Sequence, residues 1–172
     1  MRDAAPLMLI GILSDSHGRV EMTRRAVAAL LDGGAEMLIH LGDFETEDVI
    51  DELVGTPARI VFGNCDDEVD LKRHARAMDI TVDHPCGRID AEGKSICFTH
   101  GHLGRHMTEA LEAEVDYLLH GHTHRVRDER RGPTRILNPG ALFRASRYTA
   151  MLLNPATDEV TVLEIPHDTA GP

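Results

Sequence analysis

Residues 7–34 read LMLIGILSDSHGRVEMTRRAVAALLDGG and contain two different hydrophobic patterns in succession. The run LMLIGIL (7–13) is apolar throughout, which is typical of a strand covered on both faces. Apolar residues then recur at helical spacing, and Gly33-Gly34 ends that pattern. The apolar positions of this second segment are Val20, Val27, Ala28, Leu30 and Leu31. The stretch therefore predicts a β-strand followed by an α-helix.

The same alternation continues along the first half of the chain. EMLIHL (36–41) reads as a second strand, ETEDVIDELV (45–54) as a short acidic helix and ARIVF (58–62) as a third strand. Each of these strands ends in a turn-prone stretch. Because strands that alternate with helices form parallel sheets, we predict a parallel βαβαβ core.

Strands dominate the second half of the chain, from Pro85 onward. Three stretches read as hairpins: GRIDAEGKSICF (87–98), RVRDERRGPTRIL (125–137) and YTAMLLNPATDEVTVLEI (148–165). RHMTEALEAEV (105–115) is predicted to be a helix. We expect mostly antiparallel pairing in this half, and an α/β fold in which two sheets pack face to face with helices outside.

The 172 residues fit a single domain, 1–172, with a core at about 7–165 and frayed ends. The apolar run at 7–13 stops at Ser14 and Asp15, which is too soon for a signal-peptide core or a membrane span. The sequence therefore predicts no membrane partner.

Charge and cysteine content argue against several classes of protein. Lys and Arg total 18 against 29 Asp and Glu, and the formal net charge of -11 repels polyanions, which argues against broad nucleic-acid binding. The three cysteines, Cys65, Cys86 and Cys97, form no CxxC pair. Their odd number argues against a disulfide framework and a zinc finger, and favours a cytoplasmic location.

Polar side chains cluster where the predicted strands finish, in the segments SDSHG, GDF, GNCD, THGH and HGHTH. In an open α/β sheet the carboxyl ends of parallel strands form the ligand-binding crevice. Side chains at i and i+2 of an extended chain point to the same side, so Asp15/His17 and His122/His124 could each act as a two-atom chelator. The side chains expected to converge from the first half are Asp15, His17, Asp43 and Asn64.

The complete set of candidate ligands combines carboxylate, amide and imidazole groups. Its members are Asp15, His17, Asp43, Asn64, His100, His122 and His124. This mixture suits manganese, iron, zinc, cobalt or nickel. The set is too large for one four-coordinate zinc, but it fits two metals about 3.5 to 4 Å apart if one carboxylate bridges them, for which Asp43 is the candidate. With a bridging hydroxide such a site would carry about one positive charge and attract phosphate.

In this order, the motifs DxH, GD, GNxD, an HG after a strand and GHxH resemble those of the calcineurin-like metallophosphoesterases. Four segments further resemble the small bacterial and archaeal phosphodiesterase branch of that family: GNCD (63–66), THGH (99–102), GHTH (121–124) and LNPGA (137–141). The match spans roughly residues 7–165. The resemblance implies a four-layer αββα sandwich with two mixed β-sheets.

The resemblance also implies how the ligands divide between two metals. One metal would be held by Asp15, His17, Asp43 and His124, and the other by Asp43, Asn64, His100 and His122. We accordingly predict Asp43, Asn64 and His100 as catalytic residues. The reaction would be the in-line attack of a metal-activated hydroxide on phosphorus.

Cys65, Asp66 and His102 are predicted to lie beside these ligands or to contact substrate. Many members of the wider family have histidine at the position of Cys65, so the general acid is not defined by the resemblance. A neutral thiol cannot replace an imidazolium as a phosphate clamp, and aryl esters should therefore be better substrates than alkyl esters. His120 is expected to lie outside the site.

We therefore predict a metal-dependent phosphodiesterase that acts on small phosphodiesters. Its cofactors would be two divalent ions, with Mn²⁺ favoured and Ni²⁺, Zn²⁺, Fe²⁺ and Co²⁺ as alternatives. Two other functions stay open: a phosphomonoesterase or nucleotide phosphatase on the same core, and a catalytically quiet protein-binding scaffold. A metallo-β-lactamase type is set aside because its HxHxDH run is not met by HGHTHR. The sequence leaves open whether the chain forms a homo-oligomer.

Overall fold

A computed structural model describes residues 8–167 of the protein. Predictions that fall on residues 1–7 and 168–172, including the start of the first strand at Leu7 and the frayed ends, lie outside these residues. Within residues 8–167 no helix is both long and apolar enough to span a membrane. The same range contains eleven strands and four helices.

In chain order the elements are β1 (Ile10–Leu13), α1 (Val20–Asp32), β2 (Met37–His40), α2 (Glu47–Asp51), β3 (Ala58–Ile60), α3 (Glu68–Ala77), β4 (Thr81–Val82), β5 (Cys86–Ala91), β6 (Lys94–Thr99), α4 (Gly104–Glu112), β7 (Tyr117–Leu119), β8 (Val126–Arg131), β9 (Thr134–Pro139), β10 (Thr149–Asn154) and β11 (Glu159–Glu164).

The first sheet has the strand order β11-β10-β1-β2-β3-β4. The pairs β1–β2, β2–β3 and β3–β4 are parallel, which confirms the predicted βαβαβ core. Its strands β10 and β11 form an antiparallel hairpin, and β10 pairs antiparallel with β1. The carboxyl ends of β1, β2 and β3 consequently lie along one edge of this sheet.

The second sheet has the order β5-β6-β7-β9-β8. The hairpins β5–β6 and β8–β9 are antiparallel as predicted, but β6–β7 and β7–β9 are parallel. Antiparallel pairing therefore holds for the hairpins of the second half and not for the centre of its sheet. The reason is α4, which carries the chain back across the sheet between β6 and β7, as a crossover between parallel strands requires.

Three apolar layers separate the elements, and they confirm the αββα sandwich. Ile12, Ile39 and Phe98 belong to the layer between the two sheets, and each is fully buried. Helices α1, α2 and α3 cover the outer face of the first sheet, and α4 covers that of the second. Complete burial of one such side chain contributes about 1.5 to 3 kcal/mol, so the central layer is a major source of stability.

Two elements in the described range were not predicted, α3 and β4. Helix α3 reads EVDLKRHARA and buries only Leu71 and Ala75, so its apolar stripe is too narrow for a hydrophobic pattern to reveal. A capping signal does precede it, because the Asp67 carboxylate accepts hydrogen bonds from the backbone nitrogens of Val69 and Asp70. The predicted apolar stripe of α1 is correct except for Ala28, which is exposed, and Leu31, which is 39% exposed.

Candidate metal centre

Loops that follow strands of both sheets bring three predicted ligands together. Asp15 and His17 follow β1, and His124 follows β7. His124 Nε2 lies 3.2 Å from Asp15 Oδ1 and 3.3 Å from His17 Nε2. The ligand atoms of these residues all lie within 4.8 Å of one another, and we call Asp15, His17 and His124 the first cluster.

A second group lies beside the first and is formed by Asp43, His100 and His122, whose ligand atoms also lie within 4.8 Å of one another. We call it the second cluster. Asp43 Oδ2 is 3.3 Å from His100 Nε2, and Asn64 Oδ1 is 3.2 Å from the same nitrogen. The structure thus brings all the sequence-predicted ligands to one edge of the sandwich.

Asp43 belongs to the second cluster and also faces the first. Its Oδ2 atom lies 3.5 Å from His17 Nε2 and 3.3 Å from His100 Nε2. Its other oxygen, Oδ1, accepts a hydrogen bond from the backbone nitrogen of Cys65 at 3.0 Å. That bond fixes the rotation of the carboxylate so that one oxygen faces both clusters.

The backbone of the ligand loops departs from the geometry that the sequence suggested. Five of the candidate ligands have left-handed φ angles: Asp15 (55°), His17 (44°), Asp43 (59°), His122 (69°) and His124 (57°). The extended geometry predicted for these segments is therefore wrong, although Asp15 and His17 still lie in the same cluster, as a two-atom chelator requires. His122 and His124 belong to different clusters, because the left-handed turns send their rings apart. Such conformations are costly for residues with a side chain and are concentrated at functional sites.

Two glycines allow the loops to approach each other. A Cβ atom at Gly63 would lie 2.0 Å from Asp43 Oδ1, and one at Gly121 would lie 2.0 Å from Ser14 Oγ and 2.7 Å from Asp15 Oδ2. The backbone nitrogen of His122 donates to the same Asp15 Oδ2 at 3.0 Å. A larger residue at either glycine would push a candidate ligand out of position.

The imidazole rings are oriented through their second nitrogens. His100 Nδ1 donates to the backbone carbonyl of Leu41 at 2.7 Å, which directs Nε2 toward the site. His17 Nδ1 contacts Glu45 Oε1 at 2.6 Å, and His124 Nδ1 lies 3.4 Å from the Arg144 carbonyl. Partners of this kind fix the tautomer of a metal-ligating histidine. No sequence pattern points to Glu45 or Arg144, which are 28 and 20 residues from the rings they orient.

Asp66 ties the loop after β2 to the loop after β3. One oxygen accepts from the backbone nitrogens of Phe44 and Glu45, and the other from those of Asp43 and Gly63, at 2.7 to 2.9 Å. Burial raises the pKa of the Asp66 carboxyl, although the backbone donors oppose that shift. Asp66 therefore orders the loops and directs no oxygen at the clusters.

The carboxylates of the site are ionised at neutral pH. Burial alone would raise the pKa of Asp15, but the neighbouring His124 and Ser14 side chains lower it below its usual value. The pKa of Asp43 is well below its usual range, because His100 and the Cys65 nitrogen outweigh the opposing effect of burial. The pKa of His124 is raised, chiefly by Asp15. The site is therefore negatively charged enough to stabilise a positive charge, and a divalent cation would be bound favourably there.

The donor set fits a metal ion on a further observation. Asp15 Oδ1 is buried and accepts no well-directed hydrogen bond, although His124 Nε2 lies 3.2 Å away. A buried carboxylate oxygen without such a partner is costly unless a cation neutralises it. Oxygen and imidazole donors around it suit a divalent transition metal, so the residues present fit the predicted ions.

The other histidines near the site have different surroundings. His120 is buried, its Nδ1 is 3.0 Å from the Gly121 carbonyl and its Nε2 is 3.2 Å from Arg127, so it lies behind the loop rather than in a cluster. His102 lies with its ring centroid 5.3 Å from that of His100, and its Nδ1 is buried without a partner. Cys65 is exposed, and its sulfur lies within 4.8 Å of ligand atoms of His17 and Asp43.

His40 has a larger role than its sequence position indicated. It accepts a hydrogen bond at Nδ1 from the Gly42 nitrogen at 3.1 Å, and its Nε2 donates to Ser16 Oγ at 2.8 Å. Its ring stacks on that of Phe44, with 3.9 Å between centroids. Because burial lowers the pKa of His40 to about 3, the ring is neutral and links the loop of Asp15 to the loop of Asp43.

Comparison with known proteins gives a consistent result. Residues 8–158 match the family model described as the calcineurin-like phosphoesterase superfamily domain. Phosphodiesterase MJ0936 of Methanocaldococcus jannaschii is 31% identical over 139 residues, covering 77% of this chain and 83% of that protein. Phosphodiesterase YfcE of Escherichia coli K12 is 30% identical over 152 residues, covering 79% and 80% respectively. The solved structure of an archaeal phosphodiesterase superposes with a TM-score of 0.82 at 25% identity, covering 91% of this chain and 99% of that one.

Proposed function

The chain belongs to the calcineurin-like phosphoesterase superfamily and is a metallophosphoesterase, and we propose that it hydrolyses phosphodiesters at a dinuclear centre formed by the first and second clusters. The two relatives described above, at 31% and 30% identity, are both named phosphodiesterases. The observation that carries the proposal is Asp43 Oδ2, which lies 3.5 Å from a ring nitrogen of one cluster and 3.3 Å from a ring nitrogen of the other. One carboxylate shared in this way suits two adjacent ions.

In the proposed centre, Asp15, His17, Asp43 and His124 hold one ion, and Asp43, Asn64, His100 and His122 hold the other. Two such ions lower the pKa of water and neutralise charge on the phosphoryl oxygens. Mn²⁺ is the favoured ion, because the proposed ligands are oxygen and imidazole nitrogen atoms and include no cysteine thiolate. A cytoplasmic location and a single domain over 1–172 stay predictions.

The residues around the phosphate position offer little acid catalysis to the leaving group. Burial raises the pKa of Cys65, with Asp43 and Glu45 acting in the same direction, so the thiol is a weak acid. Burial lowers the pKa of His102, and His100 and His122 add to that effect, so its ring is neutral at neutral pH. An alkoxide leaving group would therefore receive no proton from a cationic side chain, and aryl esters should react faster than alkyl esters.

The test is hydrolysis of bis(p-nitrophenyl) phosphate, beside p-nitrophenyl phosphate, by chelator-stripped protein titrated with Mn²⁺. We expect diester turnover to require Mn²⁺ and to fall by about 1,000-fold in Asp43→Asn, because one substitution removes a ligand of both ions. Asp90→Asn is the matched control, since Asp90 is exposed on β5 and away from the clusters.

Metal analysis accompanies the assay. Two bound ions in the native protein and fewer in Asp43→Asn are expected. Turnover that persists without metal, or that Asp43→Asn leaves unchanged, would contradict the dinuclear proposal. Bound metal without turnover of either ester would instead favour the protein-binding scaffold, and faster turnover of the monoester would favour the phosphomonoesterase.

A further inference from the structure

Arginines on one flank of the metal centre lack the carboxylate partners that others in the chain have. Arg24, Arg59 and Arg135 form ion pairs of 2.7 to 2.8 Å. Arg125 and Arg144 form no ion pair with any of residues 8–167, although the chain carries a net charge of -11. Arg76, Arg88 and Arg131 also form no ion pair with residues 8–167, so it is the position of Arg125 and Arg144 beside candidate metal ligands that makes them candidates for binding an anion.

These two arginines line a cleft that opens directly from the first cluster. We call it the arginine cleft; it has a volume of about 440 Å³ and is lined by His122, Thr123, His124, Arg125, Arg144, Ala145 and Ser146. Two of these lining residues are candidate metal ligands. An anion in the cleft would therefore lie next to a phosphoryl group at the metals.

Two guanidinium groups lie against the ring of Phe143, beside the cleft. Its ring centroid lies 5.3 Å from that of His17. The guanidinium carbons of Arg144 and Arg19 lie 5.0 and 5.1 Å from the same Phe143 centroid. Like charges held on one ring repel each other, and a bound anion would relieve that repulsion.

The backbone fixes these cations relative to the metal ligands. Arg125 follows His124 directly, and the Arg144 carbonyl is the group 3.4 Å from His124 Nδ1. Arg144 has a left-handed φ of 46°, a conformation that a residue with a long side chain adopts only when its surroundings require it. The loop that orients a first-cluster ring thus also presents a guanidinium to the cleft.

We propose that the arginine cleft is a subsite for a second phosphate, so that the substrate is a phosphodiester with a further phosphate on one of its arms. This inference rests on the proposed function. The diester phosphate would lie at the metal centre, and Arg125 and Arg144 would bind the second phosphate by charge-assisted hydrogen bonds, for which guanidinium geometry is suited. Thr123 and Ser146 add hydroxyl donors at the cleft.

The test compares the binding of two probes that cannot be hydrolysed, propane-1,3-diphosphonate and propylphosphonate, to Mn²⁺-loaded protein by calorimetry. We expect the diphosphonate to bind about 30-fold more tightly, since charged hydrogen bonds contribute at this level. Arg125→Gln with Arg144→Gln should reduce that preference to about 3-fold or less. Arg147→Gln is the control, because Arg147 is exposed on the same loop and pairs with Glu164 on β11; it should retain the preference.

A kinetic comparison separates this inference from the proposed function. The substrates are p-nitrophenyl propyl phosphate and its 3-phosphonopropyl analogue. The native protein should have the higher kcat/KM for the phosphonopropyl analogue, and Arg125→Gln with Arg144→Gln should reduce that advantage. If neither diester is hydrolysed, the phosphodiesterase proposal fails and the phosphonate affinities still decide the subsite. Equal affinities for the two phosphonates, or a preference that survives the double substitution, would overturn the subsite while leaving the dinuclear centre intact.

Discussion

The first and second clusters use similar donor atoms but rest on different parts of the molecule. Buried backbone supports the second cluster. The Leu41 carbonyl accepts a hydrogen bond from His100 Nδ1 at 2.7 Å. The Asp66 carboxylate accepts hydrogen bonds from four backbone N–H groups in the loops of Asp43 and Gly63. The first cluster depends on groups nearer the surface. Its His17 ring is oriented by Glu45, whose side chain is 42% exposed.

This difference indicates how firmly each cluster would hold an ion. Hydrogen bonds within a buried network are strong and costly to distort, whereas a contact from an exposed carboxylate is screened by water and salt. The second cluster should therefore be the more rigid and the tighter site. Asp43 lies on the buried loop of the second cluster and also faces His17, so the first cluster contains one contact to a firmly held carboxylate.

The largest expected effect is the pH dependence of the free energy of unfolding that arises from His40, the residue that links the loops of both clusters. Its pKa is about 3 in the folded protein and about 6.5 when unfolded, so folding favours the neutral ring. The stabilisation is present above the unfolded value and is lost as the pH falls toward the folded value. Acidification from about pH 7 to about pH 4.5 should cost about 2.5 kcal/mol through this residue.

Urea denaturation of metal-free protein at both pH values, for native protein and His40→Gln, measures this cost. The variant should be less stable near neutral pH, and the difference in the free energy of unfolding should narrow by about 2.5 kcal/mol at the lower pH because glutamine does not titrate. A difference that does not change with pH would show that His40 does not link the clusters as a neutral ring.

The next effect should be larger at the first cluster than at the second. Gly121→Ala would place a methyl carbon 2.0 Å from Ser14 Oγ and 2.7 Å from Asp15 Oδ2. Relief of that overlap must move Asp15, and overpacking of this kind costs about 1 to 3 kcal/mol. We expect the affinity for the weaker ion to fall by about 100-fold, measured by competition with a chelator.

Gly104→Ala is the control for this substitution, because a Cβ atom at Gly104 meets nothing within 4 Å. Hydrogen exchange should locate the damage in the loops after β1 and β7. Equal losses of affinity for both ions in Gly121→Ala would contradict the separation of the two clusters.

Asp66→Asn should affect the second cluster more than the first, because Asp66 holds the backbone of the loop that carries Asp43. An amide cannot accept hydrogen bonds on both of its ends, so two of the four backbone donors would lose their acceptor. The expected loss is about 2 kcal/mol in the free energy of unfolding, with weaker binding of the tighter ion. Asp67→Asn is a matched control one residue away, since asparagine retains the capping of α3. Increased hydrogen exchange at residues 14–16 rather than at 43–45 would contradict this prediction.

These contrasts also show how far the sequence could predict the site. Residues such as Asp15 and Asp43 were identifiable because they follow apolar strands, and carboxyl ends of parallel strands meet at one edge. The parallel pair β6–β7 could in principle have been foreseen from the helix between them. The left-handed turns could not, because contacts between distant loops impose them and no local pattern of residues does. The same holds for Glu45, whose partner is 28 residues away.

The smallest effect is expected at Glu45, and it tests whether the support of the first cluster is as weak as its exposure indicates. Glu45→Gln keeps an oxygen that can accept from His17 Nδ1 but removes the negative charge. Partners of metal-ligating histidines typically contribute about 10- to 100-fold to metal affinity, and solvent around a side chain that is 42% exposed should reduce this to about 3-fold. Chelator competition at low and high salt measures the change, with the exposed Glu36→Gln as control. A loss near 100-fold would mean that Glu45 supports His17 as firmly as buried backbone supports His100, and the two clusters would then be equivalent.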